Sequence, residues 1–191
     1  MILAPPEGLA PVADVAYARA IVAAYAPRDA AQAAERERIL AFIDAHPADA
    51  HRRECAPGHL TGATLLVDAD RERVLLHHHA KLDRWLQFGG HADGDANLRA
   101  VAWRETVEES GITPALLSLA PIDLDVHVIP ARKSEPAHLH LDVRYLAIAP
   151  RGAVAVCSDE SRALAWFSPA ECAELGLDDS VLRLIALAFG S

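Results

Sequence analysis

The sequence predicts a mixed α/β domain carried behind a helical N-terminal extension. Three observations predict it. The first third is Ala-rich and helix-forming; from His59 the texture changes to strand-like alternation; and the strands are interleaved with three short helical segments rather than gathered in one block.

Taken in order, Val12 to Tyr25 and Ala30 to His46 form helices separated by a break at Pro27-Arg28-Asp29. Ile39, Leu40, Phe42 and Ile43 give the second helix its apolar stripe. His46 to Gly58 is polar, carries Pro47 and Pro57, and reads as a linker. His59 to Val67 and Arg73 to His79 are strands joined at Asp68-Ala69-Asp70-Arg71. Trp85 to Phe88 is a short extended piece ended by Gly89-Gly90. Asn97 to Ser110 is helical and stops at Gly111, with Pro114 just beyond. Ile122 to Ile129 and His138 to Ala149 alternate as strands around a loop containing Pro130 and Pro136. A strand at Ala163 to Phe167 and helices at Pro169 to Leu175 and Ser180 to Phe189 complete the chain. The expected division is a helical extension over residues 1–50 and one domain over 51–191.

Composition narrows the function classes. The 191 residues carry 52% hydrophobic and 24% charged side chains, enough to bury a core, with only 5% aromatics to help fill it. The net charge is −9 and no Lys/Arg run appears, which argues against a nucleic-acid polymer as partner. Cys55, Cys157 and Cys172 are odd in number and lack metal-type spacing, as in a reducing compartment. No apolar run reaches membrane-spanning length and no leader pattern is visible at Met1 to Pro11, so the expected setting is cytoplasmic.

The chemistry concentrates in Gly89-Gly90-His91-Ala92-Asp93-Gly94-Asp95 and the helix that follows. Glu105, Glu108 and Glu109 stand at i, i+3 and i+4, so three carboxylates share one helix face. Like charges this close repel unless cations neutralise them, and clustered oxygen ligands suit Mg2+ or Mn2+. Ala100, Trp103 and Val107 form a stripe on the other side that would pin the helix to a sheet. A solvated acidic face is the plain alternative, but it leaves the glycines, Arg104 and the stop at Gly111 unexplained.

This segment resembles the Nudix box: G, five residues, E, seven residues, R-E-U-x-E-E-x-G-U, with U bulky and aliphatic. Gly90, Arg104, Glu105, Glu108, Glu109, Gly111 and Ile112 match in register. Ala96 stands where the pattern has its first glutamate, and Thr106 where an aliphatic residue is usual; Asp93 or Asp95 are candidates to replace the glutamate. The resemblance covers roughly residues 59 to 176. It implies an α/β/α sandwich around a mixed sheet, metal-binding Glu105, Glu108 and Glu109, and hydrolysis of a nucleoside diphosphate linked to another group. In that scheme Glu108 or Glu109 is the candidate base, and Arg104 orients Glu105 through a bidentate pair.

Other residues gather around this expectation. His138, His140, Asp142 and Arg144 share one strand face, as do Asp123, Asp125 and His127; such polar rows line a substrate cleft or a solvated edge. Arg84 and Trp85, just before the box, are candidates for contacts to phosphate and base, or else surface cation and core. His91 follows Gly90 directly and reads as a loop histidine bonded to backbone. The Gly-His also resembles that of the related isopentenyl diphosphate isomerases, where the histidine binds metal, and this resemblance implies a second metal held by His91 with His138 or His140. His77-His78-His79 alternates across a strand and makes no single-face cluster.

The leading expectation is a Mg2+- or Mn2+-dependent pyrophosphohydrolase acting on a small nucleotide-like diphosphate. The alternatives are a catalytically silent nucleotide-binding or regulatory module, favoured by Ala96, and an isoprenoid diphosphate isomerase. Against the isomerase, Gly89 stands where its reactive cysteine would be wanted. The N-terminal helices are candidates to cover a cleft, bind a partner or build a homodimer.

Overall fold

Strand segments rich in Leu and Val, punctuated by Asp, Asn and Ser caps, order the chain into alternating elements. The computed structural model describes residues 1–131 and 136–190. In it the chain runs β1 (Leu3–Ala4), α1 (Val15–Ala24), α2 (Ala30–Ala45), β2 (Gly58–Val67), β3 (Val74–His79), β4 (Arg84–Leu86), β5 (Phe88–His91) and α3 (Leu98–Ser110). β6 (Leu116–Ser118), β7 (Asp123–Ile129), β8 (His138–Ile148), β9 (Ser161–Phe167), α4 (Pro169–Glu174) and α5 (Asp179–Phe189) follow.

The described strands form one mixed sheet in the order β1-β6-β8-β2-β3-β4, with β5 beside β2, β7 beside β8 and β9 beside β3. β2 and β8 pair in parallel from Gly58↔Leu139 to Val67↔Ile148, and the other pairs are antiparallel. Every residue of β2 is buried, as expected of a strand covered on both faces.

Alternation sorts the side chains. Leu60, Leu66, Leu141, Val143 and Tyr145 join the core that also holds α1, α2 and α3 residues. Leu65, Val67, Leu146 and Ile148 join the opposite core with Cys172, Val181, Leu184 and Ile185 from α4 and α5. The result is the expected α/β/α sandwich.

Several boundaries differ from the sequence reading, each for a visible reason. α1 begins at Val15, not Val12, because Asp14 caps it by accepting the Ala16 N–H while the Val12 N–H is bonded to Asp95 Oδ1. The extended piece at 85–88 is two strands, since the chain steps at Gln87 from pairing with β3 to pairing with β2. Gly89 and Gly90 continue β5 rather than ending it. β1 and β6 went unanticipated, being too short to show a period.

The stretch read as a linker folds back on the domain. Ala50, His51 and Cys55 are buried, Leu60 N donates to Ala50 O, and Gly94 N donates to His51 O. Part of the Pro130–Pro136 loop, residues 132–135, lies outside the described residues.

Candidate active site

The site is built on α3. Asn97 caps its N-terminus by accepting the Ala100 N–H, and Gly111, at φ 68°, closes its C-terminus in the left-handed conformation that glycine adopts without a Cβ penalty. Gly62 lets the helix lie directly on β2: a Cβ there would fall 2.6 Å from Leu98 O and 2.9 Å from Ala102 N. Thr64 Oγ1 adds a hydrogen bond to Ala102 O. The anchoring face is therefore Leu98, Val101, Ala102 and Thr106, all fully buried. Of the expected stripe, Ala100 is buried and Trp103 packs partly buried at the edge of the core, whereas Val107 is only half-buried.

With the helix fixed in this rotation, the three glutamates occupy a gradient of exposure. Glu109 is buried, Glu105 is half-buried, and Glu108 is exposed. Glu109 Oε2 accepts the Gly89 N–H at 2.9 Å, and His77 Nδ1 lies 3.7 Å from its other oxygen. Burial pushes the Glu109 carboxyl up to about 8, against the pull of the Gly89 N–H. Burial likewise raises Glu105, opposed by Arg104 and reinforced by the nearby Glu108 charge. Gly90 makes room for this arrangement, because any Cβ there would overlap the Glu105 carboxylate.

Arg104 does not grip Glu105 in the expected bidentate fashion. Its Nη2 divides itself between Glu105 Oε1 at 3.2 Å and His91 O at 3.4 Å, while Nη1 stands 3.9 Å from Asp95 Oδ2. The guanidinium thus ties the helix to the end of β5 and to the loop between them.

The two candidates for the missing glutamate are otherwise engaged. Asp93 is paired with Arg53 at 2.6 Å. Asp95 Oδ1 accepts the N–H groups of Val12 and Asn97. Ala96 is fully buried and its N–H donates to Val12 O at 2.6 Å. Asn97 Nδ2 bonds Gly8 O and Ala10 O, and Arg99 bonds Glu7 O. Residues 7–12 are thereby strapped across the place where the pattern's first glutamate would stand.

An oxygen-donor cation fits this set. Glu105 and Glu109 are desolvated with raised proton affinity and both feel the charge of Glu108, which is the mark of a site short of positive charge. Glu105, Glu108 and Glu109 are the residues that would hold it.

The polar row on the sheet divides in two. Arg144, only 2% exposed, bonds Asp142 at 2.9 Å, Asp125 at 3.1 Å, Asp123 at 3.3 Å and Ser180 O at 3.3 Å, and Arg183 of α5 closes over Asp123 and Asp125. That end is a sealed ion network, so Arg144 has no donor surface to offer a substrate, contrary to its expected cleft position. The other end stays half-buried and gathers histidines. His140 ring lies 4.8 Å from that of His59 and 5.2 Å from that of His91, with His138 at 5.3 Å.

Arg84 and Trp85 are not brought to the carboxylates. Arg84 pairs with Asp178 at 3.0 Å, and the Trp85 ring meets Phe167 edge-on at 4.9 Å in the core under α5. The sequence reading does not single out His59, Arg53 or Arg183, and takes His77 only as part of an alternating strand.

Against this fold and site stand the known proteins. The NUDIX domain model matches residues 58–187. No curated protein sequence matches the chain significantly. Among solved structures, a NUDIX-family hydrolase from Clostridium perfringens is 22% identical at a TM-score of 0.52, covering 69% of this chain and 96% of its own. A C. elegans Ap4A hydrolase is 17% identical at 0.55, covering 67% and 93%, and an E. coli dihydroneopterin triphosphate pyrophosphohydrolase is 18% identical at 0.54, covering 66% and 92%. Fold, box register and domain match agree: the chain belongs to the NUDIX family.

Proposed function

We propose that the protein is a divalent-metal-dependent pyrophosphohydrolase that cleaves the phosphoanhydride of a small nucleoside diphosphate derivative. The observation that carries this reading is the desolvated pair Glu105 and Glu109 beside exposed Glu108, on a helix too well anchored to relax their repulsion. The structural neighbours include an Ap4A hydrolase, a dihydroneopterin triphosphate pyrophosphohydrolase and a NUDIX domain complexed with ADP ribose. Each of those three molecules contains a phosphoanhydride attached to a heterocycle-bearing group, and that shared chemistry supports the substrate class.

Phosphoanhydride hydrolysis asks for charge neutralisation and a placed water more than for covalent catalysis by the protein. A bound Mg2+ or Mn2+ supplies polarisation of phosphate oxygens and acidification of water. The chain's own residues do the rest. Gly89 N–H and the surrounding core hold Glu109 in one orientation. Arg104 positions Glu105 against Gly90. Glu108 is exposed and free to turn, so a carboxylate oxygen of Glu108 is the proposed acceptor of the proton from the attacking water. Water oxygen bonds to phosphorus, the bridging P–O bond breaks, and the two phosphate-bearing halves separate.

Turnover of a phosphoanhydride panel (ADP-ribose, dinucleoside polyphosphates, nucleoside triphosphates, NADH, nucleotide sugars) with Mg2+ or Mn2+ tests this. Glu108→Gln is expected to lower kcat by about 10²–10⁴-fold, the usual worth of a positioned base. Release that survives chelation, or a Glu108→Gln/Glu109→Gln double variant as active as the parent, would reject the assignment.

A further inference from the structure

On the sheet face opposite α3, strand register assembles histidines from four strands. Antiparallel pairing sets His127 opposite His140, and parallel pairing sets His140 opposite His59. Thr61, two residues on from His59, is opposite His91 of β5. Period-2 alternation then puts His59, His91, His127, His138 and His140 on one face. Their rings are packed together: His59 is 4.8 Å from His91, 4.8 Å from His140 and 5.1 Å from His138.

Such a cluster needs a reason. His59 is 4% exposed, and neither of its ring nitrogens has a hydrogen-bond partner. A buried imidazole left unsatisfied costs about 1–3 kcal/mol, a cost that a bound cation would offset. Two neighbours are held by oxygens in the manner of metal-ligating histidines. His138 Nδ1 lies 3.0 Å from Pro136 O, and a carbonyl can only accept, so that nitrogen donates and Nε2 keeps its lone pair. His127 Nδ1 lies 3.2 Å from Asp125 Oδ2, a carboxylate–histidine arrangement of the same kind.

We propose that His59, His91 and His140 form a second, nitrogen-donor metal site for a Zn2+-class transition-metal ion, separate from the carboxylate site on α3. Their ligand atoms all lie within 4.8 Å of one another. A tetrahedral ion at about 2.0–2.1 Å from each nitrogen requires them near 3.4 Å apart, a contraction that small ring rotations supply. Imidazole is preferred by Zn2+, Ni2+ and Cu2+ over the hard ions that three glutamates select, so the two sites differ in chemistry as well as place. Neutral imidazoles ligate a cation and do not attract an anion. Arg53 Nη2, 3.2 Å from His91 Nδ1, is a contact that ligation through that nitrogen would have to displace, and the Arg53 side chain is more than half exposed. Because Arg104 also bonds His91 O, the second site is coupled through one peptide to Glu105's partner on α3.

The test titrates Zn2+ into the full-length protein with excess Mg2+ present, competing against a chromophoric chelator. One equivalent bound, with affinity falling about a hundredfold or more in His140→Gln and in His91→Asn but retained in Glu105→Gln/Glu109→Gln, is the expected result. X-ray absorption on the zinc-loaded parent protein should show at least three imidazole nitrogens, and this reading stands whether or not a variant folds. A shell of oxygens alone, or equal Zn2+ affinity in folded His140→Gln and parent, overturns the site. Hydrolase activity is not the readout, so loss of the proposed reaction and loss of this site are separately detectable.

Discussion

Gly90 shows most directly how one residue conditions the site. Its missing Cβ is the space that the Glu105 carboxylate occupies. Gly90→Ala should leave the fold intact, since Gly90 lies in β5 near a free edge, but it must push Glu105 aside. A displacement of about 1 Å at a reacting centre costs on the order of a hundredfold, so kcat/KM should fall about that far at an unchanged melting temperature. Wild-type kcat/KM in that variant would show that Glu105 does not have to sit against β5. Arg144 makes the opposite case. It was an attractive substrate contact on paper, yet three carboxylates and a carbonyl surround it. Arg144→Met leaves buried carboxylates facing each other and should cost about 3–5 kcal/mol in urea unfolding. A loss below about 1 kcal/mol would mean that Arg183 alone neutralises the network.

At the level of the element, α3 and the strap over its start decide what Ala96 means. The alanine is not an unfilled ligand position. It lies under residues 7–12, bonded through its N–H to Val12. Ala96→Glu therefore should not restore the family pattern. A carboxylate forced into this fully buried position would cost about 3 kcal/mol or more, by overpacking and by desolvated charge together. Differential scanning calorimetry of that variant checks it; an unchanged melting temperature with raised turnover would mean that the strap yields easily and the glutamate reaches the metal site.

Across the whole molecule, the sheet separates two kinds of electrostatics. On the α3 face, Glu105 and Glu109 are buried carboxylates of raised proton affinity. On the α5 face, Asp123, Asp125 and Asp142 are already paired with Arg144 and Arg183. Burial alone would raise Asp125, but the His127 hydrogen bond and the charges of Arg144 and Arg183 hold it well below the ordinary carboxylate range. Its stability contribution is present above the unfolded value of about 3.9 and is lost as pH falls through the folded value, because the unfolded chain takes up the proton first. Burial pushes Asp123 the other way, whereas Asp142, which burial alone would raise, is held down by Arg144 and His127 and shares the acid sensitivity with Asp125. Wild-type protein should therefore lose more unfolding free energy between pH 5 and pH 2 than Asp125→Asn does. Parallel losses in the two proteins would remove Asp125 from the acid response.

The sequence by itself determined most of the elements and the box: a helix that stops at Gly111 and three glutamates at helical spacing are local facts, encoded within a few residues of one another. It equally predicted the polar alternation of β7 and β8. What it left open was which polar residues meet. The rotation of α3 that buries Glu109, the burial of Arg144 under α5, and the meeting of His59 with His91 and His140 all depend on pairings between segments far apart in the chain. Only tertiary packing decides them, because strand register is set by which faces find a core to cover, and no short stretch of sequence carries that information.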